Sequence, residues 1–398
     1  MIATEAHKES EDKAISPQSA YIHIPFCTHK CEFCDFAAFA GLIELEDQYC
    51  LVLAAEIESR LAQRTEPLSL KTVFYGGGTP GLIKPSNIAM IHQQLLKFAP
   101  LQTNLSPSEI EIAMETTPHA ITEQKAQEWL EIGINRLSIG IESLSDAELT
   151  AIGRDHSVAE AISGIKLAHQ AGFESISIDF MYGLPTQTLA SWQATLDTAI
   201  ELTELYPSIQ HISAYGLEIA KNSPLLSRFP RDSSSYPSDD LCVEMYEALV
   251  STLESHNYQQ YEVSNFAKPG QQSQHNLTYW RNAPYFAFGV GAHRYVDGVR
   301  SANLRSLKKY MRSPLTDEVS EVIDPKTRIR EGIMLGLRLI QGIDLKQFEQ
   351  DYGVDLLANQ KVEIDYLCEQ KLLELSDGKL KITPQGIPIS NSIIGRLI

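Results

Sequence analysis

Three cysteines within eight residues are the part of the sequence best suited to chemistry. Cys27, Cys31 and Cys34 follow a C-x3-C-x2-C spacing, directly after the apolar run Ala20–Ile24. An iron–sulfur cubane holds four irons and normally takes four cysteine thiolates. Three thiolates leave one iron without a protein ligand, and a metal with an open position can bind a small molecule. The spacing therefore predicts a [4Fe-4S] cluster with one open iron.

Two other kinds of metal site could use the same cysteines. A zinc ion could add His29 or His23 as a fourth ligand. However, His29 lies inside the same short loop, and the sequence has no second C-x2-C arm. An electron-transfer cluster would need Cys50, whose helix would have to turn inward. We expect Cys50, Cys242 and Cys368 to be small buried apolar residues in helices instead.

A glycine-rich turn forms the second motif. Gly76-Gly77-Gly78-Thr79-Pro80 follows the strand-like run Thr72–Tyr75. Glycines at a strand end let the backbone approach a ligand closely, although a tight turn alone could explain them. No lysine follows the glycines, so the turn is not a phosphate-binding P-loop. Beside an iron with an open position, it indicates a ligand with an amino and a carboxylate group.

These motifs need a scaffold, and the chain supplies repeated strand–helix units up to about residue 216. A helix between two strands returns the chain to the same edge, which makes the sheet parallel. Six units are too few for a closed eight-stranded barrel, so we predict an α/β fold with an open, partial (β/α)6 barrel. The predicted strands are Tyr21–Ile24, Thr72–Tyr75, Glu109–Met114, Arg136–Ile139, Ser175–Phe180 and His211–Tyr215.

Polar residues recur where these predicted strands end. Parallel barrels build their sites at this rim, from several strand ends at once. The sequence therefore predicts one shared site at the carboxyl-terminal rim. The residues concerned are Cys27, the Gly76–Thr79 turn, Glu115, Glu142, Asp179 and Tyr215.

The predicted organisation has four parts. Residues 1–18 are polar, which predicts a disordered tail, and residues 19–250 are predicted to form the barrel. Residues 251–324 form an extension in which the strand–helix alternation weakens. Pro325 marks the start of the last part, residues 325–398, where three helical patterns and a strand pair predict a small, winged-helix-like α+β domain.

Composition narrows the class of partner. The net charge is -18 and no run of Lys or Arg occurs. Nucleic acids and anionic membranes require basic patches, so neither is expected as a partner. No apolar stretch is long enough to span a bilayer. The polar, acidic N-terminus is unlike a secretory or transit signal. Clustered cysteines without a disulfide pattern indicate a reducing cytoplasm.

The combined motifs resemble the radical S-adenosylmethionine superfamily. The resemblance rests on the cysteine spacing, on Phe33 before the third cysteine, and on the Gly-Gly-Gly-Thr-Pro turn. It implies that the open iron binds the amino and carboxylate groups of S-adenosylmethionine. Further segments resemble the oxygen-independent coproporphyrinogen III oxidase group. They are Tyr21–Cys27, Asn135–Gly140, Tyr182–Pro185, Tyr261–Ala267 and His275–Trp280.

That group has two branches, and two features of the chain separate them. The oxidase branch carries a fourth cysteine two residues after the third, where this sequence has Phe36. It also has a longer segment before the first strand. Both departures resemble the heme chaperone branch, which implies heme as cargo, hemoproteins as acceptors and a cellular electron donor. The alternatives are oxidative decarboxylation of coproporphyrinogen III and, more remotely, methyl transfer to a porphyrin-like substrate.

The resemblance also implies site residues. Glu115 and Asp179 would accept hydrogen bonds from ribose hydroxyls, Arg154 would pair with a carboxylate, and Phe33 would pack on adenine. Glu142 departs from the family, which usually has glutamine there, so a contact that needs an amide N–H is lost. The full S-adenosylmethionine set is Tyr21, Phe33, Gly77, Gly78, Thr79, Glu115, Glu142, Arg154 and Asp179.

A heme site is implied by His275, Tyr279 and Trp280. Imidazole is a common axial ligand of heme iron, and aromatic walls suit a porphyrin face. His293 is a second possible ligand. The alternative is a packed aromatic segment with a hydrogen-bonded histidine.

Overall fold

The computed structural model describes residues 16–221, 223–231 and 233–398, so residues 1–15 of the predicted tail lie outside the described residues. Nine strands form one sheet in the order β11-β1-β4-β5-β6-β7-β8-β10-β9, and β2 and β3 form a separate short pair. The strands are β1 Ser19–Ile24, β2 Phe26–Cys27, β3 Phe39–Ala40, β4 Thr72–Gly77, β5 Glu111–Thr116, β6 Arg136–Glu142, β7 Ser175–Tyr182, β8 Ile209–Gly216, β9 Gln259–Glu262, β10 Asn265–Ala267 and β11 Phe286–Phe288.

The six strands β1 and β4 to β8 pair in parallel, which confirms the predicted partial barrel. The sheet is open, because it begins at β11 and ends at β9. Helices connect successive strands, as predicted. The helices up to residue 280 are α1 Glu46–Leu61, α2 Pro85–Phe98, α3 Glu123–Ile132, α4 Asp146–Ala151, α5 Val158–Ala171, α6 Leu189–Leu205, α7 Leu225–Arg228, α8 Asp239–Ser255 and α9 Gln274–Trp280.

Strand alternation gives the sheet two different faces. Ile22, Ile139 and Ile178 are fully buried against the helices. Residues one position away, such as Glu115 and Asp179, point to the other face, because successive side chains of a strand alternate sides. The concave face of the barrel is therefore polar, and its polar side chains converge at one end.

Residues 251–324, predicted as an extension, add strands to this sheet. β11 pairs in parallel with β1, whereas β10 pairs antiparallel with β8 and β9 with β10. At three residues each, β10 and β11 are too short to give a periodic pattern. The remaining elements of this part are β12 His293–Val296, β13 Val299–Asn303, β14 Asp317–Val322 and α10 Leu307–Arg312.

The C-terminal part has its own apolar core. A separate cluster of buried side chains runs from Ile333 to Leu397. The strand pair closes through Asp377-Gly378, both with positive φ, a turn typical of two-residue hairpins. Its elements are α11 Pro325–Gly336, β15 Ile343–Asp344, α12 Leu345–Tyr352, α13 Leu356–Asn359, α14 Lys361–Glu369, β16 Leu373–Ser376, β17 Lys379–Ile382 and α15 Ser390–Gly395. Among the described residues, no helix is both long and apolar enough to cross a membrane.

Candidate functional site

The cysteine loop lies at the rim where the parallel strands end. Cys27 is the last residue of β2, which pairs with β3 on the far side of the loop. The Thr79 hydroxyl, from the glycine turn, points to Cys27 Sγ at 3.8 Å. Arg154 donates from Nη1 to Cys31 Sγ at 3.2 Å. The loop is thus held between the glycine turn and the segment that precedes α5.

The loop offers three thiols as metal ligands, and none of them is fully buried. Structural zinc takes four protein ligands. Three thiolates match a four-iron cluster with one open iron, so the donor set fits a cluster better than a single structural ion. Burial raises the pKa of all three thiols, that of Cys27 to about 11, so bound cations are needed to hold the thiolates.

Two of the additional ligands considered for these alternatives, His23 and Cys50, are engaged elsewhere in the protein. His23 bonds through one ring nitrogen to Tyr21 Oη at 2.9 Å and through the other to the Ala37 carbonyl at 3.0 Å. Cys50 is fully buried in the main core, as predicted. Cys242 and Cys368 are only half-buried, so the prediction of burial was wrong for these two.

The turn requires glycine because its backbone packs closely against neighbouring residues. A Cβ on Gly77, whose φ is +120°, would lie 2.6 Å from the His23 ring, and one on Gly78 would lie 2.7 Å from the Phe26 carbonyl oxygen. The Gly77 N–H donates to Glu115 Oε2 at 2.9 Å. The turn therefore needs glycine for its own packing and also fixes a carboxylate of the rim.

Three carboxylates face the barrel beside the turn. Asp179 accepts hydrogen bonds from Ser138 at 2.7 Å and Ser177 at 3.0 Å. Burial, together with a smaller effect of the neighbouring Asp179, raises the pKa of Glu115 and of Glu142 to about 7. Burial also raises the pKa of Asp179. So much negative charge in a partly enclosed space suits a cationic ligand that also brings hydroxyl donors.

Glu142 is held in a strained conformation. Its φ is 69°, in the left-handed region, at a β-bulge between β6 and β7. Its carboxylate lies 3.7 Å from Arg154, which also bonds to the Gly140 carbonyl. Arg154 was predicted to pair with a ligand carboxylate. The structure instead engages it with Cys31, Gly140 and Glu142, and leaves its buried Nε without a protein partner among the described residues.

The two predicted aromatic residues are both at the rim. Phe33 packs beside a small apolar cluster of Ile152, Met181 and Leu184. The Tyr21 ring stacks on Phe74 with centroids 6.1 Å apart. Seven of the nine residues predicted for S-adenosylmethionine lie within one residue of a strand end or in the connection that follows: Phe33, Gly77, Gly78, Thr79, Glu115, Glu142 and Arg154. Tyr21 and Asp179 lie inside β1 and β7, three residues before the strand ends.

The predicted heme ligand has a different environment. His275 is completely buried; its Nδ1 lies 2.8 Å from Thr72 Oγ1 and its Nε2 2.8 Å from Tyr279 Oη. Its ring also stacks on Phe74, with centroids 5.1 Å apart. Both ring nitrogens are therefore occupied, and burial lowers the pKa of His275 to about 3. These contacts are those of the alternative, a hydrogen-bonded histidine in an aromatic segment, and His275 as an axial ligand stays a prediction.

The other members of that set are also accounted for. Tyr279 packs edge-on against His275 and Tyr285. Trp280 packs against the small cluster that contains Tyr261 and Leu339. His293, the second possible ligand, is exposed on β12.

A cavity that the sequence did not reveal lies between the barrel and the C-terminal part. It measures about 570 Å³ and lies between β9, α9 and the β16–β17 hairpin. Tyr261, Leu277 and Leu339 give it apolar surface, and Arg281, Lys379 and Lys381 give it positive charge. Three distant segments build it, so no local pattern could have predicted it.

Comparison with known families agrees with both parts of the fold. The model of the Radical SAM superfamily matches residues 21–199. The model of the HemN C-terminal domain matches residues 323–389.

Curated relatives match nearly the whole chain. The protein named heme chaperone HemW of Bacillus subtilis (strain 168) is 34% identical over 387 residues, 96% of this chain and 99% of the relative. The heme chaperone HemW of Escherichia coli (strain K12) is 34% identical over 388 residues, 96% of this chain and 98% of the relative. The solved structure of coproporphyrinogen III oxidase (HemN) from Escherichia coli has a TM-score of 0.80 at 21% identity, covering 96% of this chain and 90% of that chain. That structure shows the shared fold.

Proposed function

The chain belongs to the HemW/HemN-like group of the radical S-adenosylmethionine superfamily, and we propose that it is a heme chaperone that delivers heme to hemoproteins. The observation that carries the proposal is the 34% identity, over nearly full length, to relatives named heme chaperones. The position of the oxidase branch's fourth cysteine supports it. Phe36 occupies that position and is 66% exposed.

Membership of the superfamily implies a [4Fe-4S] cluster and S-adenosylmethionine as cofactors, which together supply one-electron reductive chemistry. Cys27, Cys31 and Cys34 would hold the cluster. Gly77 and Gly78 would let the cosubstrate approach the backbone, and Thr79 would stay against the loop through Cys27. Each of these residues holds or orients a cofactor; none needs to react itself.

The remaining rim residues would bind the nucleoside. Glu115 and Asp179 are placed to accept hydrogen bonds from ribose hydroxyls. Phe33 would pack on the adenine and Tyr21 would close the side of the pocket next to β4. Arg154 and Glu142 would position the cysteine loop, since Arg154 donates a hydrogen bond directly to Cys31.

For the cargo, we place heme in the cavity between the barrel and the C-terminal part. A porphyrin is a flat apolar ring that carries two carboxylates. The cavity offers apolar surface at Tyr261, Leu277 and Leu339 and cations at Arg281 and Lys379, beside Asp377 and the Lys381–Glu374 ion pair. Apolar surface with a few placed charges is typical of small-molecule sites. The predicted electron donor and cytoplasmic location stay predictions.

An anaerobic comparison tests the function. We expect heme titration to give a saturable Soret shift with one heme per chain, and transfer of that heme to an apo-hemoprotein. Incubation with coproporphyrinogen III, reductant and S-adenosylmethionine should give no protoporphyrinogen. Turnover of the porphyrinogen without heme transfer would show that the chain is an oxidase.

A separate pair of variants tests the location. Arg281→Glu combined with Lys379→Glu should weaken heme binding at least about tenfold, because two cations are replaced by anions that repel the propionates. Lys308→Glu combined with Lys346→Glu, at exposed positions of α10 and α12 that do not line the cavity, makes a matched charge change. Equal affinities in all three proteins would remove the cavity from the proposal but leave the function open to the first test.

A further inference from the structure

A second group of metal-ligating side chains lies next to the cysteine loop and shares no residue with it. His119 belongs to the short turn that follows β5, and Asp155 and His156 precede α5. One ligand atom from each of the three lies within 4.8 Å of the others. His156 is 5% exposed. The group is therefore close-set and partly sealed from solvent.

The hydrogen bond of His156 defines its tautomer. Nε2 lies 3.2 Å from the Ile141 carbonyl oxygen. A carbonyl oxygen can only accept, so Nε2 carries the proton and Nδ1 carries a lone pair. That Nδ1 is buried and has no partner among the described residues. Metal-binding histidines have this arrangement, in which one nitrogen donates to a backbone carbonyl and the other binds the ion.

His119 has the same arrangement. Its Nε2 lies 3.4 Å from Thr28 Oγ1 and 3.3 Å from Thr117 Oγ1. The Thr28 hydroxyl donates its own proton to Asp155 Oδ2 at 2.5 Å, so its oxygen can only accept from His119. Nδ1 of His119 is then left with a lone pair. It is buried, unpaired among the described residues, and 3.7 Å from Asp155 Oδ1.

We propose that His119, Asp155 and His156 bind a divalent first-row transition ion such as Zn²⁺, separate from the cysteine cluster. Two imidazoles and one carboxylate are a common ligand set for such ions and leave coordination positions open. Two buried nitrogen lone pairs beside a carboxylate destabilise the folded protein unless a cation or a proton binds to them. The ion would satisfy all three groups at once.

The site is connected to the cysteine loop at two points. Thr28, which bonds to Asp155, follows Cys27 in the chain. Arg154, which bonds to Cys31 at 3.2 Å, precedes Asp155. An ion that fixes Asp155 therefore also restrains Thr28 and Arg154, which both contact or belong to the loop. Its expected effect is slower loss of iron from the cluster in the presence of a chelator.

Metal analysis of the intact protein tests the site. Protein with its cluster in place is incubated with one equivalent of Zn²⁺ and passed through a desalting column, and zinc and iron are measured by mass spectrometry. We expect one zinc per four irons. His119→Ala and the isosteric Asp155→Asn should each weaken zinc binding at least about tenfold with iron content unchanged.

His29→Ala is the matched control, because His29 is an exposed histidine of the cysteine loop itself. It should keep the zinc. Circular dichroism checks that each variant is folded. Absence of zinc from the unmodified protein, equal zinc in the His119 and Asp155 variants, or zinc that rises only as iron falls would each overturn the proposal. The last result would place zinc on the cysteines.

Discussion

The rim at the strand ends and the α9 segment differ in how completely their polar groups are hydrogen-bonded. The rim carries the cysteine loop and the three carboxylates, and the α9 segment carries His275. In the α9 segment, Glu111 accepts hydrogen bonds from Ser273 and from the backbone N–H groups of Gln274 and His275. Both nitrogens of His275 are bonded as well. At the rim, Arg154 Nε has no protein partner among the described residues, and Glu142 adopts a strained φ.

This difference separates structural from binding residues. Buried polar groups in folded proteins are almost always hydrogen-bonded, so a completed network needs no ligand. Strain and incomplete pairing persist where a site is prepared for something else. The difference supports the proposal that the rim binds the cofactors and that the α9 segment contributes stability, although both contain residue types capable of metal binding.

The largest effect is expected at the rim. Cys31→Ala removes one of three thiolates, and two cannot hold a four-iron cluster. Iron and sulfide content should fall to near zero, with loss of the visible absorption of the cluster. Iron assay and absorption spectra on anaerobically purified protein measure this.

Cys242→Ala provides the control, because Cys242 is half-buried on α8 and outside the loop. Its iron content should equal that of the unmodified protein. If Cys31→Ala keeps a full complement of iron, the assignment of the rim to the cluster is wrong.

The α9 segment should respond in stability instead. His275→Ala removes a buried ring and leaves Thr72 and Tyr279 without partners. We expect a loss of about 3 kcal/mol in the free energy of unfolding, measured by urea titration. Heme affinity, measured without denaturant, should be unchanged.

His293→Ala, on an exposed position of β12, should change stability by less than about 0.5 kcal/mol. A His275→Ala protein of normal stability that no longer binds heme would contradict this expectation and support His275 as a heme ligand.

The carboxylates of the rim predict a pH dependence. The pKa of Glu115 is about 7 in the folded protein, against 4.5 as its ordinary value. The folded state then binds more protons than the unfolded state between these pH values, so this group's contribution to stability is lost as pH rises from 4.5 through 7. Because the shift is about 2.5 pKa units at most, the loss is about 2 kcal/mol after allowance for partial exposure.

Buried histidines with a lowered pKa, such as His23 and His92, have the opposite effect, because their contribution to the free energy of unfolding increases as pH rises. The quantity to measure is therefore the difference between the unmodified protein and Glu115→Gln, in urea titrations at pH 5 and pH 8 without S-adenosylmethionine. Glu115→Gln should become the more stable of the two at pH 8. An unchanged difference at both pH values would show that Glu115 does not titrate in this range.

The convergence of residues at the rim could be predicted from the sequence, whereas the individual contacts of the rim and of the α9 network could not, for a physical reason. Parallel strands bring their carboxyl-terminal ends to one edge of the sheet. Once the strands are identified, the convergence of residues such as Glu115 and Asp179 can therefore be predicted. The partner of His275 is Thr72, 203 positions away, and Arg154 reaches Cys31 across 123 positions. Such contacts depend on side-chain packing, which strand and helix patterns do not encode.

The smallest effect concerns the start of α9. Ser273 caps this helix by accepting a hydrogen bond from the Asn276 N–H at 3.3 Å and also donates to Glu111. Ser273→Ala should lower the free energy of unfolding by about 1 kcal/mol, with iron content and heme binding unchanged. Ser306 precedes α10 without a side-chain cap bond, so Ser306→Ala should have almost no effect. If both variants lose equal stability, or if Ser273→Ala loses iron, the α9 segment is not the purely structural region that its completed hydrogen bonds indicate.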